Sequence, residues 1–173
     1  MSACLVSEEP VLDAETGKAR PLKAPAYQSC PVEDDGALSD DCTMLSVERL
    51  DGGLYRLTDN SEAEEVSEWR FRRIARGGYA AQVYDGDGYS YYYALVERGR
   101  IAMVFMQCAS LPAGLRARLI SEGGLEPEND GYDTCIVVTR AALVAAARAY
   151  HSGEAVDEDP FATVLTPAPG GAG

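Results

Sequence analysis

Between Thr43 and Cys108 the chain repeats one pattern three times. The pieces are Ser46-Val47-Glu48-Arg49-Leu50-Asp51-Gly52-Gly53-Leu54-Tyr55, Phe71-Arg72-Arg73-Ile74-Ala75-Arg76-Gly77-Gly78-Tyr79 and Tyr93-Ala94-Leu95-Val96-Glu97-Arg98-Gly99-Arg100-Ile101. Each is an alternating run, a glycine-bearing turn and a second alternating run. Period-two alternation sends successive side chains to opposite faces, and glycine supplies the positive φ that tight hairpins need. The pattern predicts an antiparallel meander. Met44–Leu50 should pair with Leu54–Thr58, with Leu45, Val47, Tyr55 and Leu57 on its buried face. Trp69 and Phe71 should face one way and Arg70 and Arg72 the other, with Tyr79–Tyr84 as the return strand. The run Ile101–Met106 is apolar on both faces and reads as a central strand covered on one side by helices.

The flanks read differently. Residues 1–24 are expected to be an N-terminal tether, because prolines and acidic side chains separate scattered apolar residues. Pro10-Val11-Leu12 could alternatively pack as an edge strand. Residues 25–165 should form a single globular domain, and 166–173 a disordered tail. A short strand is expected around Ala26-Tyr27-Gln28. After Cys108, Ser110 can cap a helix that runs to Gly123-Gly124. Cys135–Val138 reads as a strand, and Thr139 caps a helix over Arg140–His151 with Leu143, Ala146, Ala147 and Tyr150 on one face. Phe161, Val164 and Leu165 should return to the core. The expected class is α+β: an antiparallel β-meander of five to seven strands, a twisted sheet or partly closed barrel, with two C-terminal helices packed on it.

The chain has five cysteines and one histidine. None of the cysteines forms a C-x-x-C pair, so structural zinc is disfavoured. Setting Cys4 aside leaves an even number, which suits disulfides in an oxidising compartment. Cys30 and Cys42 bracket an acidic loop, while Cys108 ends the last strong strand and Cys135 opens the next apolar run. The expected bridges are Cys30–Cys42 and Cys108–Cys135, although four cysteines allow three pairings.

The net charge is -13, which repels phosphate backbones and speaks against a nucleic-acid partner. The charge is uneven: residues 69–120 carry 8 basic and 3 acidic side chains, between acidic flanks. The flanks are expected to fold back and neutralise the middle; otherwise a basic strip is left to dock an anionic partner. Signature motifs of nucleophile elbows, zinc proteases and phosphate loops are absent from the sequence. The acidic loop lacks the EF-hand spacing, so neither a metal nor a cofactor is expected. His151 sits at a helix end beside Ser152, a structural position rather than a catalytic one. A carboxylate pair for glycoside hydrolysis is neither excluded nor located by the sequence.

The tyrosines carry more information. Tyr79, Tyr84, Tyr89, Tyr91, Tyr92 and Tyr93 crowd together, and tyrosine supplies rigid area with a polar tip. Plain cross-strand pairing would explain them equally well. The candidate binding patch is Arg70, Arg72, Tyr84, Tyr89, Tyr91, Tyr92, Arg98 and Arg100.

Ser2-Ala3-Cys4 resembles the end of a bacterial lipobox, in which small residues precede a cysteine that becomes lipidated. The resemblance covers three residues, with Met1 where the motif usually has leucine. It implies lipidation of Cys4 and a periplasmic domain anchored to a membrane. The expectation is a non-catalytic cell-envelope lipoprotein that binds a protein partner as an accessory or assembly subunit. The alternatives are a small glycan- or ligand-binding module built on the Tyr/Arg patch, and a cytoplasmic interaction protein.

Overall fold

The structure, a computed structural model, describes residues 4–61, 63–128, 134–158, 160 and 162–169. Its strands are β1 (Leu5–Ser7), β2 (Ala26–Pro31), β3 (Thr43–Arg49), β4 (Tyr55–Asp59), β5 (Val66–Ala75), β6 (Gly78–Tyr84), β7 (Tyr89–Glu97), β8 (Arg100–Phe105), β9 (Leu125–Pro127), β10 (Cys135–Val137) and β11 (Ala162–Pro167). Among the described residues two α-helices accompany them, α1 (Ala113–Ser121) and α2 (Arg140–Ser152).

Strands β2 to β8 form an unbroken antiparallel meander, as the three hairpin signals require. The strand β11 then pairs with β2 on one edge and β8 on the other, which closes an eight-stranded barrel. The α+β class holds, but the strand count does not: eleven strands join one sheet, against the five to seven expected. The excess has a physical source. Closure removes the exposed sheet edges that an open meander would leave. The closing strand is Ala162-Thr163-Val164-Leu165-Thr166-Pro167, whose last two residues had been expected in a disordered tail. Phe161 and residues 170–173 lie outside the described residues.

Two cores result. Inside the barrel lie Tyr27, Tyr55, Leu57, Phe71, Ala81, Ala94, Ile101, Met103 and Leu165, with Leu45, Val47, Trp69 and Tyr92 packed against them. Outside, β6 and β7 present Ala80, Tyr91 and Tyr93 to a second core with Leu143, Ala146 and Ala147 of α2. Thr139 Oγ1 caps α2 by accepting from Ala142 N, and Gly153 ends it with φ 80°. The N-cap position of α1 is Pro112, with no side-chain cap hydrogen bond, and Ser110 lies instead in a 3₁₀ turn over Cys108–Ser110. The helix α2 packs on β5, β6, β7 and β10. The expected central strand, β8, instead turns Ala102 toward an open groove.

The segment expected as a tether lies against the barrel. Leu5, Leu12 and Leu22 are all buried at 1% exposure or less. The strand β1 pairs with β7 and β10, and Ala19 N donates to Phe71 O beyond the start of β4. Residues 10–12 are not a strand; Gln82 holds them instead. Its Oε1 accepts from Val11 N and Leu12 N, both at 2.8 Å, and its Nε2 donates to Leu12 O at 3.0 Å. One amide side chain thus does for this segment what a neighbouring strand would do. Both expected disulfides are present, Cys30–Cys42 and Cys108–Cys135.

Candidate functional site

Hairpin topology sorts the loops to two barrel ends. At one end lie the loops 32–42, 60–65 and 85–88, which hold Glu33, Asp34, Asp35, Asp40, Asp41, Glu64, Glu65, Asp85 and Asp87 and no lysine or arginine. The turns 50–54, 76–77 and 98–99 lie at the other end. Segment 17–25 crosses that end and adds Lys18, Arg20 and Lys23.

Among the described residues, the acidic flanks form no ion pair with the arginine-rich middle, residues 69–120. The two ion pairs among the described residues join Arg56 to Glu48 and to Glu68, all within the first 68 residues. The arginines bind backbone carbonyls instead. Arg70 Nη1 donates to Gly52 O at 2.6 Å and Arg72 Nη1 to Thr16 O at 3.0 Å. Arg20 donates to Leu50 O and Leu54 O, and Arg49 to Leu22 O and Lys23 O. Carbonyl oxygens satisfy the guanidinium fork but leave its charge in place.

The eight patch residues fall into separate places. Tyr91 is buried on the outer wall, its hydroxyl 2.6 Å from Ser7 Oγ, and burial pushes its pKa up to about 12. Tyr92 points into the barrel with its ring 4.6 Å from that of Phe105, and burial pushes it up to about 12 as well. Tyr84 and Tyr89 stay together, with ring centroids 4.9 Å apart. They share a cleft of about 210 Å³ with Arg70, Glu68 and Gln82, beneath the segment around Leu12. Arg98 and Arg100 stand at the far end of the barrel, along an open groove of about 570 Å³ with Glu97, Ala102 and Val164. Arg72 belongs to neither cavity.

At the acidic end the outer wall carries features that the tyrosine argument missed. Leu38, Met44 and Val66 are large apolar side chains left 42%, 38% and 49% exposed. Met44 alternates with inward Leu45, and Val66 lies opposite Thr58 on the outward side. Glu68 pairs with Tyr84, and Tyr84 with Tyr89, so this band continues across β5, β6 and β7. The alternation in β3 and β5 was the available signal: the residues beside Leu45 and Trp69 must face out. Next to the band, Asp59, Glu65, Ser67, Asp85 and Asp87 line a cavity of about 440 Å³. Among the described residues, no group of three His, Cys, Asp or Glu is placed to hold a metal ion.

His151 Nδ1 lies 2.6 Å from the Tyr93 hydroxyl, so the histidine ties the end of α2 to the barrel wall. Cys4 stands at the head of β1, bridged to Gln107, and its carbonyl accepts from Cys135 N. Ser2 and Ala3 lie outside the described residues.

These features define a closed antiparallel barrel with a helix-covered wall and two ends of opposite charge. No family model, curated protein or solved structure matches the chain.

Proposed function

We propose that the chain is a non-catalytic lipoprotein of the bacterial cell envelope, anchored through Cys4, that acts as an accessory or assembly subunit by binding a protein partner. The observation that carries the reading is the band Met44, Val66, Tyr84 and Tyr89 at the acidic end of the barrel. Apolar and aromatic area at a barrel end whose loops 32–42, 60–65 and 85–88 carry carboxylates and no lysine or arginine suits a complementary protein surface, here a basic one. Tyrosine contributes contact area at low entropic cost. The two disulfides support an oxidising compartment, where they persist.

The test is recovery of the partner from envelope membranes with purified chain as bait. A Val66→Asp/Tyr89→Ala double variant should lose at least tenfold of the recovery while still melting cooperatively as a folded domain. Raising the salt from 50 to 500 mM should weaken capture by the native chain. Equal recovery by the double variant would reject the band. Anchoring is read separately, as incorporation of labelled fatty acid that a Cys4→Ser change abolishes. Unlabelled native protein would reject the anchor.

A further inference from the structure

The basic end of the barrel is open. Pro21, Ala24, Pro25, Tyr27, Tyr79 and Val96 wall a mouth of about 550 Å³, which Gly99 and the end of β11 complete. That volume lies within the range of about 300–1,000 Å³ typical of small-molecule sites. Deeper access is blocked, because Tyr55, Phe71 and Leu57 fill the interior. Among the described residues, Lys23 is the one charged residue lining the mouth, and none of the lining residues carries a carboxylate side chain.

The lysine is held in place by its backbone. Tyr27 Oη accepts from Lys23 N at 2.9 Å and from Ala24 N at 3.2 Å, while Arg49 Nη2 donates to Leu22 O and Lys23 O at 3.1 Å each. Arg98 precedes the mouth's Gly99 and lines the neighbouring outer groove. The turn after β7 sets Arg98 at φ 53° and Gly99 at φ 80°. Two consecutive positive φ values make a type I′ turn, for which Asn-Gly is the favoured pair. An arginine there is held in a backbone conformation that suits it poorly, and such departures concentrate at functional positions.

We infer that this mouth binds a free single-chain amphipathic anion, with its apolar body between Tyr27, Tyr79 and Val96 and its anionic group at Lys23. The occupant follows from the lining: apolar walls, a lysine whose backbone is held at the edge, and room for one chain. A charged group at Lys23 adds orientation, and the apolar walls supply most of the affinity. The site is at the opposite end from the partner-binding band, so either can fail without the other.

Titration calorimetry of the full chain with dodecanoate tests this. Saturable binding of one equivalent is expected, with methyl dodecanoate at least tenfold weaker. Lys23→Glu should lower the affinity at least tenfold, and Ala168→Trp, which fills the mouth from its edge, should abolish it. Circular dichroism melting of each variant confirms that it is folded; Lys23 is exposed, so its change tests the anion without disturbing the core. Vesicles of phosphatidylglycerol should not co-float with the chain, since two acyl chains exceed the mouth. Absence of saturable heat would overturn the proposal, as would dodecanoate affinity unchanged in both variants or equal affinity for the ester. Co-flotation lost in Lys23→Glu would overturn it in favour of a lipid surface.

Discussion

The two ends of the barrel solve one problem in opposite ways. At the basic end, segment 17–25 crosses the opening, Leu22 is wholly buried, and Arg20 and Arg49 donate to carbonyls of the turn and the segment. The acidic end is left to solvent. Its longest loop is tied by the Cys30–Cys42 bridge and carries Leu38 at 42% exposure. One end is thus narrowed to a mouth by a packed segment held by hydrogen bonds from charged donors, each contributing about 1.5–3 kcal/mol. At the other, a covalent link limits the freedom of a loop that has little core to hold it. The difference shows that net charge says little about where charge acts. The same chain holds an apolar mouth edged by a lysine and an apolar band next to acidic loops.

Leu22→Ala should separate the ends most sharply. Removing a wholly buried leucine should cost about 2–5 kcal/mol, read as a shift in the urea midpoint, whereas Leu38→Ala should stay within about 0.5 kcal/mol. Equal costs would break the distinction. A second test exploits two tyrosines between the ends, Tyr91, which is buried, and Tyr92, which is half-buried. Tyr91 and Tyr92 are raised to about 12 in the folded chain, above the ordinary 10.0. The sign follows from the raised values: their contribution is complete below pH 10 and is lost as pH rises toward 12. The urea midpoint should fall across that interval, and Tyr91→Phe and Tyr92→Phe should each flatten the fall. Tyrosinate absorbance near pH 10 from both residues in the native state would contradict this. The smallest expected effect is a gain. Arg98→Asn should stabilise the turn by about 0.5–1 kcal/mol, because asparagine tolerates positive φ. A loss of stability would remove the argument that Arg98 is retained against a local preference.

Much of the barrel was legible because its hairpins are local. Asp51-Gly52-Gly53 and Arg98-Gly99 turn where the alternation breaks, and Phe71 lies inside while Arg70 and Arg72 lie outside, as the period of two demands. The helix Arg140–Ser152 shows the same agreement of cap, face and stop signal. Closure was not legible, since β11 pairs with residues more than a hundred positions earlier in β2 and no local periodicity encodes that pairing. The packing of residues 5–24 was hidden for a related reason. Their apolar residues have no period of their own, and Gln82, which secures them, is a single polar residue in a strand. The tyrosine patch shows a third limit. Composition identified Tyr84, Tyr89, Tyr91 and Tyr92 together, but alternation sends Tyr92 inward, and the segment over Gln82 covers Tyr91. Only Tyr84 and Tyr89 remain at the surface cleft.

The position of Cys4 has a mechanical consequence. Its carbonyl accepts from Cys135 N, and the next residue, Leu5, is at 0% exposure with its own N–H on Met106 O. No slack chain separates Cys4 from the rigid body. Anything attached to that sulfur would set the tilt and heading of the whole barrel, as a rudder post does for a rudder. An acyl chain there would restrict both ends to a narrow range of angles against the bilayer, so partner and ligand would approach from fixed directions.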